Sequence, residues 1–135
     1  MRTRVLVAED IEILRDTLVA LLELEGDLEV VAELATGDRI VAEALERQPD
    51  VALLDIDLPG TDGLAAAAEL HERLPACRVL ILTGILTGPA TPDIRTRALA
   101  AGVSGLLVKD GPAEDLIDAV RRVARGERVF AARPR

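Results

Sequence analysis

Short apolar runs of strand length alternate with longer stretches of helical period along almost the whole chain. The strand-like runs are residues 4–8, 28–34, 51–54, 78–82 and 105–108. The helical stretches are residues 11–25, 38–47, a segment ending near residue 74, and residues 93–101 and 112–125. Five strand–helix pairs in this order predict an α/β fold, in which a doubly wound parallel sheet carries helices on both faces.

Polar residues follow four of the five predicted strands, at the point where each strand ends. They are Glu9 and Asp10 after the first, Asp55 after the third, Thr83 after the fourth and Lys109 after the fifth. Because ligands of open parallel sheets bind outside the carboxyl ends of the strands, we expect these side chains to lie together. Three carboxylates at close quarters repel one another unless a hard cation such as Mg²⁺ lies among them. The pattern therefore predicts a Mg²⁺ site and phosphate chemistry at an aspartate, with Thr83 as a donor to a phosphoryl oxygen.

The length and charge of the chain argue against several classes of protein. Its 135 residues suffice for one compact domain with an aliphatic core. The formal net charge of −8, without a cluster of Lys or Arg on any predicted face, argues against direct nucleic-acid binding by this segment. A single cysteine excludes an internal disulfide and fits a reducing compartment. We see no signal-peptide pattern and no apolar stretch long enough to span a bilayer, and we expect a cytoplasmic protein without membrane segments.

Four sequence elements carry a family resemblance. They are VLVAED at residues 5–10, DVALLDIDLPGTDGL at 50–64, VLILTG at 79–84 and GLLVKD at 105–110. In this order, at predicted strand ends, they resemble the receiver domain of two-component response regulators over residues 3–128. The stretch PAEDLIDAVRRVARGERVF at 112–130 is similar to receivers that precede a LuxR/NarL-type helix-turn-helix DNA-binding domain.

The resemblance implies a fold and a set of residue roles. The fold would be flavodoxin-like, with strand order 2-1-3-4-5 and five helices. Asp55 would accept a phosphoryl group from a sensor histidine kinase, and Thr83 and Lys109 would contact the phosphoryl oxygens. The implied ligands of Mg²⁺ are Glu9, Asp10, Asp55 and the backbone carbonyl of Asp57. Such a domain is not an enzyme with a separate substrate, since it catalyses only its own Mg²⁺-dependent phosphoryl transfer and dephosphorylation.

The resemblance also predicts partners and a domain division. We expect a receiver domain over residues 1–128 and a tail or the start of a linker over 129–135, with a DNA-binding domain following in the full-length protein. The first helix has a wide apolar band that includes Ile11, Ile13 and Leu14. That band is either buried core or part of a homodimer interface formed by the first and last helices. The expected output is regulation of transcription through conformational change or dimerisation.

The chain departs from the family pattern at three places. Leu106 lies three residues before Lys109, where many receivers carry Tyr or Phe, so the usual switch of Thr83 and an aromatic ring loses its aromatic part. The predicted loop at residues 84–92 is longer than usual, and it either gates the site or is a tolerated insertion. Asp57 places a further carboxylate two residues after Asp55, and we expect its side chain to overlook the site.

Two alternative functions follow from the same residues. Leu106 and the long loop favour a phosphate-independent interaction module, whereas the complete set of polar strand endings argues against it. Asp55-Ile56-Asp57 has the form of an Asp-x-Asp phosphatase nucleophile. The further acidic motifs that such phosphatases need downstream are missing, which argues against that reading.

Overall fold

Six strands and five helices alternate in a computed structural model that describes residues 1–84 and 91–130. The elements are β1 (Thr3–Ala8), α1 (Glu12–Glu23), β2 (Leu28–Leu34), α2 (Ile40–Arg47), β3 (Val51–Asp55), α3 (Gly63–Arg73), β4 (Arg78–Thr83), α4 (Thr91–Ala100), β5 (Gly105–Val108), α5 (Ala113–Ala124) and β6 (Val129–Phe130). The predicted α/β class is confirmed, and strand and helix boundaries differ from the prediction by one or two residues.

All strand pairs are parallel, and the sheet order is β2-β1-β3-β4-β5-β6. The predicted order 2-1-3-4-5 is therefore confirmed for the first five strands. The sixth strand was not predicted: Val129 pairs with Gly105, and Phe130 pairs with Leu106. Two residues are too few to show a strand period, which is why the sequence placed them in the tail. The pairing extends the folded part through Phe130.

The fourth helix begins at Thr91, two residues before the predicted start at Asp93. Pro92 lies in its first turn, where the missing backbone N–H removes no intrahelical hydrogen bond. Most of the predicted loop at 84–92 lies outside the described residues, namely 85–90. The expectation that this loop gates the site therefore stays a prediction.

Two aliphatic clusters cover the two faces of the sheet. One cluster joins inner strand residues such as Leu54 and Leu106 to helices α2, α3 and α4, and the other joins residues such as Leu53 to α1 and α5. Because helices cover both faces, all five residues of β3 are buried. Polar groups therefore concentrate where the central strands end. No described helix is long and apolar enough to cross a bilayer.

Candidate functional site

The carboxyl ends of β1, β3, β4 and β5 meet at one edge of the sheet. Ala8 of β1 lies beside Leu54, Asp55 lies beside Leu82, and Thr83 lies beside Val108 in the strand register. Every predicted site residue except Leu106, which lies within β5, is at or just past one of these ends. The structure thus brings the predicted side chains to a single edge, as the topology of parallel sheets requires.

Three carboxylates form what we call the acidic cup, made of Glu9, Asp10 and Asp55. One oxygen from each lies within 4.8 Å of the others. Glu9 is 0% exposed and Asp55 is 1% exposed, whereas Asp10 is exposed to solvent. The cup therefore has a buried floor, formed by Glu9 and Asp55, and one open side at Asp10, through which an ion or a phosphoryl group can enter.

Lys109 lies across the floor of the acidic cup. Its Nζ is 2.9 Å from Asp55 Oδ2 and 3.2 Å from Glu9 Oε1. Among residues 1–84 and 91–130, this ammonium is the only polar partner of those two oxygens. The backbone of Lys109 is fixed as well, because its N–H donates to the carbonyl oxygen of Thr83 over 2.9 Å. One positive charge thus serves two buried carboxylates.

Glu9 and Lys109 have shifted pKa values. Burial raises the pKa of Glu9 above its ordinary value, and the charge of Asp55 adds to the increase, although the Ile11 N–H and the Lys109 ammonium oppose it. Burial works to lower the pKa of Lys109, but hydrogen bonds and attraction from Asp55 and Glu9 outweigh it, so the pKa is raised. The cup therefore has an excess of negative charge that one lysine does not neutralise.

The loop between β3 and α3 folds back over Asp55. The backbone N–H of Asp57 donates to Asp55 Oδ1 over 3.1 Å, which orients the carboxylate. Gly63 begins α3 so close to β3 that an added Cβ would overlap the Asp55 carbonyl oxygen. Asp62 caps α3 by accepting the Ala65 N–H over 2.8 Å. The side chain of Asp57 is exposed and is not one of the clustered carboxylates.

Thr83 and Leu106 occupy the neighbouring strands. Thr83 ends β4 and is 3% exposed, beside the acidic cup in the strand register. Leu106 is 0% exposed and packs in the cluster formed with α2, α3 and α4. Phe130, on the adjacent strand β6, packs against the same cluster. The structure thus places Leu106 in the core below the site.

Sequence reasoning missed several supports of the site. Glu9 Oε2 accepts the Ile11 N–H over 3.1 Å, and the carbonyl of Glu9 accepts from Arg15 Nη1 over 2.9 Å. Asp38 accepts hydrogen bonds from Thr61 in the loop beyond Asp57. The contact between Asp38 and Thr61 depends on how two loops meet in space, and no spacing rule in the sequence indicates it.

The donor set of the acidic cup fits a hard divalent cation. Its groups are carboxylates, all of them oxygen ligands, and two of their oxygens have only the ammonium as a partner in the described part of the chain. Oxygen ligands in an open site with room for water are what Mg²⁺ prefers. The floor residues Glu9 and Asp55 and the exposed Asp10 are thus able to hold such an ion.

Comparisons with known proteins agree with this geometry. The family described as response regulator receiver domain matches residues 5–121. The transcriptional regulatory protein DesR of Bacillus subtilis is 43% identical over 127 residues, which cover 94% of this chain and 61% of DesR. The response regulator protein VraR of Staphylococcus aureus is 37% identical over 130 residues, covering 96% of this chain and 60% of VraR.

A solved structure is similar over nearly its whole length. The signal receiver domain of the response regulator NarL from Mycobacterium tuberculosis has a TM-score of 0.85 and 33% identity, covering 93% of this chain and 98% of that one. By contrast, the chain spans about three fifths of the two curated regulators above (61% and 60%). The parallel order of the strands and the acidic cup at their ends agree with the match to the receiver-domain family. The chain therefore belongs to the response regulator receiver domain family.

Proposed function

We propose that this chain is a phosphorylation-controlled switch that accepts a phosphoryl group on Asp55 from a sensor histidine kinase. The observation that carries the proposal is the buried Asp55 carboxylate, held between the Asp57 N–H and the Lys109 ammonium in the acidic cup. Cytoplasmic residence follows from such a partner. The family membership supports this function, as does the description of DesR as a transcriptional regulatory protein.

The chemistry is a transfer between two nucleophiles. An oxygen of Asp55 attacks phosphorus, the P–N bond of the donor's phosphohistidine breaks, and its electron pair stays on the imidazole nitrogen. The product is an acyl phosphate. Lys109 offsets the negative charge of the reacting groups, and Thr83 offers a hydroxyl at the same edge. When bound by Glu9, Asp10, Asp55 and the Asp57 carbonyl, Mg²⁺ supplies positive charge at the phosphoryl oxygens.

The output is a shift between two conformations of the domain. Thr83 ends β4 at the edge that carries the cup, and Leu106 is buried in β5 three residues before Lys109, which supports a role for both in the response to a phosphoryl group. We infer that the shift is transmitted to a DNA-binding domain in the full-length protein and regulates transcription. A conformational equilibrium moves only by the difference in contacts that the two states make with the phosphoryl group.

The direct test is intact mass after incubation with acetyl phosphate, with and without Mg²⁺. Wild-type protein should gain one phosphoryl group only when Mg²⁺ is present, and Asp55→Asn should gain none, because an amide is not a competent nucleophile. Glu9→Gln serves as a control that keeps Asp55 and should slow the gain. If no mass change occurs under any condition, the phosphate-independent interaction module, which Leu106 favours, takes the place of this proposal.

We also propose that the chain forms a homodimer through α1 and α5. Ile13 on α1 and Leu24, the residue that follows α1, are 77% and 79% exposed, so each leaves a large apolar side chain in water. A cavity of about 520 Å³ lies between the two helices. Its lining combines apolar residues such as Leu14 and Leu116 with charged residues, which include Lys109 and Asp118. A second copy would cover these side chains.

Glutamate substitutions at Ile13 and Leu24 should weaken this dimer. We expect Ile13→Glu and Leu24→Glu to lower the sedimentation coefficient of the phosphorylated protein to the monomer value, since each buries a charge in the interface. Leu99→Glu on α4 is the matched control, because Leu99 is also an exposed leucine, at 49%, on another face. Equal sedimentation of all three variants and the wild type would contradict a dimer on this face.

A further inference from the structure

Asp38 fastens the turn between β2 and α2 to the loop between β3 and α3. Its Oδ1 accepts the backbone N–H of Thr61 over 3.0 Å and the Thr61 hydroxyl over 3.2 Å. A third hydrogen bond joins the same segments, because the Gly37 N–H donates to the Pro59 carbonyl over 3.0 Å. We call these three hydrogen bonds the loop clamp.

Two glycines show how closely the clamped segments approach each other. A Cβ on Gly37 would overlap the carbonyl of Thr61. Gly60 has a φ of +77°, and a Cβ there would lie 2.6 Å from the carboxylate carbon of Asp38. Gly37 therefore requires glycine for space, because the overlap is with backbone. Gly60 requires glycine for its backbone conformation, and a Cβ there would also displace the Asp38 carboxylate. The backbone of both segments is thus shaped for the close approach that the loop clamp needs.

The clamped loop is the one that carries Asp57. At its near end the Asp57 N–H holds Asp55 Oδ1, and the Gly63 N–H donates to the Ile56 carbonyl over 3.2 Å. At its far end the only side chain from another element that bonds it, among the described residues, is Asp38. The loop is thus held at Asp55 and at Asp38, with Asp57 between the two.

We propose that Asp38 is a positioning residue for the site, acting through Thr61 to hold the Asp57 backbone carbonyl in place for the cation. This inference rests on the proposed function and deepens it. Asp38 is exposed, and within the described ranges it has no ion pair and its carboxylate accepts hydrogen bonds only from Thr61. A carbonyl ligand contributes to Mg²⁺ binding only when its position is fixed, because Mg²⁺ demands near-ideal octahedral geometry.

The test compares two substitutions at Asp38 that separate hydrogen bonding from charge. Asp38→Ala removes the acceptor and the charge, whereas Asp38→Asn removes the charge and keeps an oxygen for both Thr61 donors. We expect Asp38→Ala to weaken Mg²⁺ binding by about fivefold to tenfold and Asp38→Asn to stay within about twofold of the wild type. Thr61→Val, which keeps the N–H and loses the hydroxyl, should fall between them.

The measurement is a Mg²⁺ titration followed through the backbone amide NMR signals of Ile56 and Asp57. The chain has no Trp or Tyr, so amide signals replace intrinsic fluorescence as the probe. Hydrogen exchange of the Thr61 amide, measured without Mg²⁺, should speed up in Asp38→Ala and not in Asp38→Asn. Far-UV circular dichroism of each variant checks that the fold is retained.

The outcomes distinguish this inference from the function on which it rests. Equal weakening by Asp38→Ala and Asp38→Asn would mean that Asp38 acts only through its charge, and would overturn the inference. Unchanged Mg²⁺ affinity in Asp38→Ala would overturn it as well and leave the proposed function intact. A wild-type protein that neither binds Mg²⁺ nor takes a phosphoryl group would overturn both.

Discussion

Lys109→Met should lower the free energy of unfolding of the metal-free domain by about 3 kcal/mol at pH 8. The substitution leaves an unbranched apolar side chain that is one atom shorter and removes the one ammonium that contacts Glu9 and Asp55. Both carboxylates are buried, at 0% and 1% exposure, and each would lose its compensating charge. We place the effect at the lower end of the range for broken buried pairs because Lys109 is itself 21% exposed. Urea denaturation of the two proteins measures the difference.

The loss of unfolding free energy caused by Lys109→Met should become smaller as the pH falls. The pKa of Glu9 is raised in the folded state, so the folded protein binds its proton more tightly than the unfolded chain. The stability that this proton contributes is present below the ordinary value of 4.5 and is lost as the pH rises through the raised pKa. Without Lys109 that pKa rises further, and a protonated Glu9 then relieves the repulsion in acid. If the loss of stability caused by Lys109→Met stayed the same as the pH fell from 8 through the raised pKa of Glu9, this account would be contradicted.

Added Mg²⁺ should restore much of the stability of Lys109→Met. A ligand that binds only the folded protein stabilises it by mass action, and the emptied floor of the cup carries a larger negative charge than in the wild type. Lys109→Arg is the matched control, since it keeps the charge and should lose less stability.

Phosphorylation of Lys109→Met by acetyl phosphate should be slower by about 100-fold, the usual effect of removing one charge-stabilising group at a reaction site.

Lys109 also offers a direct probe of the site. It is the only lysine in the chain, so protein labelled with ¹³C at lysine Cε gives one side-chain signal. The titration of that signal reports the pKa of Lys109, which the contacts with Asp55 and Glu9 hold above its ordinary value of 10.5. In Asp55→Asn the pKa should move down, because one of the two carboxylates is gone.

The acidic cup could be predicted from sequence because its members are fixed by strand ends. Glu9, Asp55 and Lys109 each follow a continuous apolar run, and parallel strands leave their carboxyl ends at one edge. The order of strands and polar residues along the chain was therefore enough to predict which side chains meet at the site. The predicted boundaries held to within one or two residues for the same reason, since apolar runs of this kind end where polar residues begin.

The contacts between loops could not be predicted in this way. Asp38 and Thr61 are 23 residues apart, and neither lies on a periodic apolar pattern that would place it. Strand β6 escaped prediction because two residues carry no period, and only its pairing with Gly105 and Leu106 defines it as a strand. Contacts made by segments without a periodic apolar pattern could therefore not be predicted from the sequence, and such segments surround the site.

Gly63→Ala should lower the free energy of unfolding by about 3 kcal/mol and also slow phosphorylation of Asp55. The added Cβ would overlap the Asp55 carbonyl oxygen and lie 3.0 Å from the Ile56 Cα, so the backbone of β3 or α3 must shift. Both contacts are with backbone atoms, which have no rotamer by which to move aside. Because the overlap is at Asp55 itself, the shift displaces the phosphoacceptor. Urea denaturation and the initial rate of mass gain with acetyl phosphate measure the two effects.

Gly84→Ala is the matched control, since Gly84 also lies next to a site residue. A Cβ there would meet no atom of residues 1–84 and 91–130 within 4 Å, and the φ of Gly84 is not in the left-handed region. We therefore expect its free energy of unfolding to stay within about 0.5 kcal/mol of the wild type. Phosphorylation by acetyl phosphate should also be unchanged. If Gly63→Ala proved as stable and as fast as Gly84→Ala, the close packing of α3 against Asp55 would not be what holds the phosphoacceptor in place.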